Sequence, residues 1–186
     1  LFPAFALYDV QSPSPIRGTW TVDEACSKAV EIQADFRTPH GQHSNSMEVS
    51  RADIKPGATA GTVQFAVVRP AGTFNFTGTL VEDMGSGQVN FTADPQFPKA
   101  MEAAGYPNLS GDDIFRMAMI DMSPQFVRDL DQVGYSKLPL EQLMRMKIHD
   151  ANAEFIRALA GIGFKNLGTE ELIQIGRASC RERVYI

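Results

Sequence analysis

Gly105, Gly134 and Gly163 stand 29 residues apart, and a fixed period constrains architecture before any local assignment is made. Placing residues 105–133 over 134–162 without a gap gives nine identities: Gly105/Gly134, Tyr106/Tyr135, Leu109/Leu138, Arg116/Arg145, Met117/Met146, Asp121/Asp150, Phe126/Phe155, Arg128/Arg157 and Leu130/Leu159. A third copy opens with Gly163-Phe164-Lys165-Asn166-Leu167 and runs through Glu170 and Leu172. A unit this short cannot bury a core alone, so the copies must cover their Phe, Leu and Met faces with one another.

Each copy reads as two short helices. Ser110 and Asp113 have the spacing of a capping box, and Pro139 suits a first helical position, so the first helix is expected over about 111–119 and 139–148. Ser123-Pro124 and Asn152-Ala153 supply an N-cap before the second helix, which carries Phe126, Val127 and Leu130, or Phe155, Ile156 and Leu159, at helical spacing. Gly134 and Gly163 follow as left-handed caps. Tandem helical hairpins result.

Between residues 17 and 98 the period switches from helical to two. Val30, Ile32, Ala34 and Phe36 alternate with Glu31, Gln33, Asp35 and Arg37. Further strands are expected at 18–22, 46–50, 62–69, 73–81 and 88–93, with turns at Pro70-Ala71-Gly72 and over 82–87, including Gly85-Ser86-Gly87. Six strands with short connections make an antiparallel meander, curled into a small sandwich or partial barrel. Asp94-Pro-Gln-Phe-Pro98 ends the strand pattern, and Lys99–Ala104 reads as a connecting helix. The domains are therefore a leader over 1–16, a β domain over 17–98 and helical repeats over 99–174, in the α+β class. Phe97 is expected against the sheet, and two parts this small are expected to pack together.

His40-Gly-Gln-His43 has metal-ligand spacing, with Asp35 or Glu48 as a third donor, but its Pro/Gly/Asn/Ser context reads as a polar loop. Gly85-Ser86-Gly87 lacks the Lys and helix of a phosphate loop. Asp112-Asp113 and Glu170-Glu171 sit at helix starts, where the helix dipole favours them. Cys26 has no activating His nearby in sequence. Asn75, Asn90 and Asn108 open Asn-x-Ser/Thr triplets, and the first two lie within expected strands beside Phe, where sheet composition explains them more simply. His149 lies opposite Ile120 in the repeat, so the repeat does not demand it. The repeated arginines Arg116, Arg128, Arg145 and Arg157 have two readings: they bond helix-end carbonyls or neighbouring carboxylates, or they form a ligand-binding stripe.

The ends carry signals of their own. Leu1-Phe-Pro-Ala-Phe-Ala6 reads as the tail of a signal peptide with an Ala-x-Ala cleavage site, followed by a flexible Ser12-Pro-Ser-Pro15 leader. Residues 175–186, with Ile175-Gly-Arg-Ala-Ser-Cys-Arg-Glu-Arg-Val184, read as the translation of a sequencing adapter. Without this segment the net charge moves from −5 to −7 and Cys26 is the sole cysteine, which leaves no intramolecular disulfide. An acidic chain without a basic recognition helix argues against nucleic acid. No apolar run approaches the ~18 residues of a membrane span.

The second copy, above all Arg145-Met-Lys-Ile-His149 followed by Glu154-Phe-Ile-Arg157, resembles a helical repeat found in bacterial extracytoplasmic proteins and at the C-terminal end of beta-lactam-sensor-type membrane metallopeptidases. Copies in that family usually carry Gly at the positions of Asp121 and Asp150, and Thr-Pro at Asn152-Ala153. The β unit, with Val68-Arg-Pro-Ala-Gly-Thr-Phe74, is similar to the domain that often precedes such repeats. The resemblance covers about residues 17–174 and implies a periplasmic or extracellular bacterial setting without an established activity. No His-Glu-x-x-His motif is present, so protease activity transfers to no residue.

The sequence reading is thus a non-catalytic protein-interaction or sensor module, needing no cofactor or metal, with a protein or cell-envelope component as partner. Two alternatives are the sensor region of a longer membrane metallopeptidase and a small metal-dependent enzyme using the His40/His43 loop.

Overall fold

Alternating apolar and polar residues give each strand one face for a core and one for water. The computed structural model describes residues 16–25, 29–38, 41–57, 59, 61–82 and 84–182. Residues 1–15, Cys26 and His40 lie outside the described residues, so the expected leader, the free thiol and half of the His40/His43 pair do too.

The strands are β1 (Ile16–Ala25), β2 (Ala29–Thr38), β3 (Gly41–Ser50), β4 (Lys55–Pro56), β5 (Thr62–Arg69), β6 (Gly72–Val81) and β7 (Met84–Ala93). All belong to one antiparallel sheet in the order β3-β2-β1-β7-β6-β5-β4. Of the two forms expected for the meander, the pair of stacked sheets does not occur.

The sheet is strongly concave. In a flat sheet β1 and β5, three strands apart, would be separated by about 14 Å. Yet the rings of Trp20 and Phe65 meet with centroids 5.5 Å apart, and Phe36 of β2 and Phe74 of β6 meet at 5.6 Å. Glycines make room for this closure. A Cβ on Gly78 or Gly87 would press within 2.8 Å and 2.7 Å of the Trp20 indole, whose Nε1 donates to the Thr77 carbonyl at 3.1 Å.

A loop and a turn expected from sequence are strand instead. Gly41, Gln42 and His43 form the start of β3, paired with Thr38, Arg37 and Phe36. Gly85-Ser86-Gly87 lies in β7, paired with Leu80, Thr79 and Gly78; the chain reverses just before it, at Glu82 with φ 55°.

Six helices follow among the described residues: α1 (Phe97–Ala103), α2 (Gly111–Met119), α3 (Pro124–Gln132), α4 (Leu140–Ile148), α5 (Ala153–Gly161) and α6 (Thr169–Glu182). Ser110 and Asp113 form the expected reciprocal capping box, and Ser123 and Asn152 accept from the Phe126 and Phe155 amides. Pro139 is the N-cap of α4, with ψ 142°, rather than its first helical residue.

α1 is more than a connector. It begins at Phe97, two residues before the expected start, and Pro95-Gln96-Phe97 precedes Pro124-Gln125-Phe126 by one full repeat. It ends as the later second helices do, with Gly105, Gly134 and Gly163 at φ 94°, 93° and 102°. At each of these ends the next amide reaches back five residues: Tyr106 to Met101, Tyr135 to Leu130 and Phe164 to Leu159, at 2.9, 3.0 and 3.0 Å. The repetition therefore starts half a unit earlier than the glycine spacing alone indicates.

One continuous apolar core joins the concave sheet to the helices. α3 packs on α5 and α4 on α6, while α2 lies against β6 and β7.

Candidate functional site

The repeated positions become a repeated set of bonds. The Tyr106 hydroxyl donates to the Leu138 carbonyl at 2.9 Å, and one repeat later Tyr135 donates to Leu167 at 2.6 Å. Arg116 makes two parallel bonds to Glu141 at 2.8 and 2.9 Å, and Arg145 makes the same pair to Glu170 at 2.6 and 2.8 Å. Each contact runs from one copy to the next. Burial, followed by the charge of Asp131 for Tyr106 and of Glu171 for Tyr135, raises both phenols above their ordinary range.

The electrostatics follow the same ladder. Hydrogen bonding from Arg116 holds the Glu141 carboxyl below its ordinary range, and Glu141 in turn raises the Arg116 guanidinium. Glu170 does the same for Arg145. His149, at the end of α4, is lowered by desolvation first and by the nearby charges of Arg177 and Arg145 second. α6 passes that point closely, since a Cβ on Gly176 would overlap the His149 carbonyl oxygen.

Asp112 occupies the position in the first copy that Glu141 and Glu170 occupy in the next two. No repeat arginine precedes it among the described residues, and its Oδ1 meets the sheet. Thr38 Oγ1 donates to it at 3.3 Å, and His43 Nε2 stands 4.0 Å away. Three further contacts fix α2 on the sheet. Asn45 Nδ2 donates to the Met119 carbonyl at 2.8 Å, Arg69 lies 3.5 Å from Asp121, and Phe115 inserts among Phe36, Phe91 and His43 at 5.1, 5.4 and 5.5 Å. The sheet stands where the first helix of a preceding repeat would stand.

The four arginines divide into two classes. Arg116 and Arg145 are committed to neighbouring carboxylates, so they do not form a free stripe. Among the described residues Arg128 bonds only Gln125 of its own helix, at 3.2 and 2.8 Å, and it and Arg157 are exposed at equivalent positions of α3 and α5.

The proposed third donors for a metal do not join His43. His43 faces the concave side beside Phe36, whereas Asp35 and Glu48, an odd number of residues from those positions on their strands, face the convex side. Asp35 is bonded by Ser44 there. Among the described residues no three His, Cys, Asp or Glu side chains gather closely enough to hold a metal ion.

Comparison of the chain with known protein families, curated proteins and solved structures finds no match. Its own geometry has to carry the functional reading. Asp112 and Glu170 read from sequence only as acids at helix starts, and Glu141 drew no notice because the first copy has Asp at its position; a shared acidic class at 29-residue spacing was the available signal for their common role. Asp121 and Asp150, one repeat apart, adopt φ 54° and 52°, the region glycine favours. No helix among the described residues is long and apolar enough to cross a membrane.

Proposed function

We propose that the chain is a non-catalytic protein-interaction or sensor module of the bacterial envelope, acting outside the cytoplasm. The sheet is the fixed base, and the stacked hairpins present the recognition surface. One observation carries this reading: every repeat is locked to the next by the same Tyr-to-carbonyl and Arg-to-carboxylate bonds, with the sheet holding the first. Such a ladder holds an extended surface at fixed spacing without a pocket. With Arg116 and Arg145 engaged in that ladder, Arg128 and Arg157, one repeat apart on the second helices, are the cations that face a partner.

The test is photo-crosslinking in the periplasm of a bacterial host. A photoreactive residue replaces Arg128, Arg157 or, as a control on the sheet, the exposed Gln64. The expected result is one shared partner protein captured from 128 and 157 and none from 64. Capture from 64 alone, or from none of the three, would contradict the proposal.

A further inference from the structure

Among the described residues the sheet has two free edges, and they are built differently. β4 is two residues long and consists of Lys55 and Pro56. Shortness, a lysine and a proline each discourage another strand from adding. β3 has none of these devices. It runs ten residues without Lys or Pro, and it pairs with β2 in unbroken register from Thr38↔Gly41 to Ala29↔Ser50. Its outer edge makes no backbone hydrogen bond to another described residue.

The side chains beside that edge indicate what would add there. On the convex face Glu48 stands directly opposite Glu31, a like-charge pairing that destabilises a ladder. Ser46 bonds Glu31, but among the described residues no cation pairs with Glu48, which is exposed on the edge strand. On the concave side of the same stretch lie Met47 and Val49, both buried. A strand laid along β3 would thus meet acid on one face and apolar side chains on the other.

We infer that the free edge of β3 accepts an extended partner segment in which basic and apolar residues alternate. The added strand continues the β2–β3 ladder, its basic side chains settle next to Glu48, and its apolar side chains extend the concave face beyond Met47 and Val49. Main-chain bonds supply affinity in this mode and the alternating side chains supply selectivity. This inference rests on the sheet alone and stands whether or not the helical face binds a partner.

A fluorescent ten-residue peptide of alternating lysine and valine is the probe, at low micromolar concentration, with two twins N-methylated at alternate amides in either register. The unmodified peptide should shift the amide resonances of residues 41–50, and at least one methylated twin should bind about tenfold more weakly, because it loses the ladder bonds but keeps the charge. Glu48→Lys should also weaken binding about tenfold, with circular dichroism unchanged because it replaces a like-charge pair by an opposite one. Equal binding by both methylated twins would reduce the interaction to charge and overturn the proposal. Resonance shifts confined to α2–α6 would also overturn it. So would protection from exchange in the free protein of the alternate β3 amides that point away from β2, or a dimer lost with Glu48→Lys, since the edge would then be filled by this chain or a second copy.

Discussion

Trp20 and Phe36 each reach across three strands to meet Phe65 and Phe74, whereas Tyr106 and Tyr135 each reach a carbonyl 32 residues further along the chain, in the next repeat. In the sheet the core is unique: every large ring occupies a place that no other residue repeats, and glycines are cut to fit it. In the helical array the same small set of bonds recurs, so no single copy is indispensable to the pattern. The difference teaches where damage should spread. A change in the sheet disturbs one shared core, and a change in the array disturbs one step of a ladder.

The strongest way to sharpen that comparison is at the junction. Phe115→Ala empties a fully buried site between the two regions and should lower stability by about 3–5 kcal/mol, measured by denaturant unfolding. Next comes a pair of glycine substitutions with opposite signs. Gly87→Ala forces a Cβ into the Thr77 carbonyl and the Trp20 ring and should destabilise by about 1–3 kcal/mol. Gly111→Ala, in open space at the start of α2, should stabilise by about 0.4–1 kcal/mol. Equal effects at the two glycines would break the contrast between a fitted sheet and an open array.

Within the ladder, Tyr106→Phe and Tyr135→Phe each remove one hydroxyl-to-carbonyl bond and should each lower the melting temperature, by about 0.5–1.5 kcal/mol of stability. Near-equal losses would mark the two steps as equivalent. The Arg116–Glu141 pair has the smallest expected effect because Glu141 is 65% exposed. Its carboxyl is lowered in the folded chain, so its contribution is present above the unfolded pKa and lost as the pH falls through the lower folded value. Arg116→Ala should therefore cost about 0.3 kcal/mol at neutral pH, less in high salt and less again once Glu141 is protonated, when only Asp113, 3.9 Å away, remains as its ionic partner.

The sequence revealed those elements whose burial is periodic. Alternation in β2, β5 and β6 and the 29-residue spacing of the hairpins both express a face turned to a core. The first half of β3 was hidden because Gly41-Gln-His-Ser-Asn-Ser46 has no apolar alternation; its strand form comes from backbone pairing with β2. Gly85 and Gly87 resembled a turn, although their purpose is the space under Leu80 and Trp20, which only the curvature of the sheet creates. α1 was legible in part, since Pro95-Gln96-Phe97 repeats at Pro124-Gln125-Phe126. Of the candidate arginines, the repeat identified all four, but only the position of the next copy separates Arg116 and Arg145, which hold the array together, from Arg128 and Arg157, which face outward.

The sheet serves as the first step of the array, so both regions form one cooperative body. Trp20 is the single tryptophan and lies deep in the sheet, which makes its fluorescence a report on that region alone, while far-ultraviolet circular dichroism follows the helices. Guanidinium unfolding monitored by both signals should give coincident transitions that shift together in Phe115→Ala. Helical signal lost at a clearly lower denaturant concentration than the Trp20 signal, with only one of the two moving in Phe115→Ala, would contradict the account.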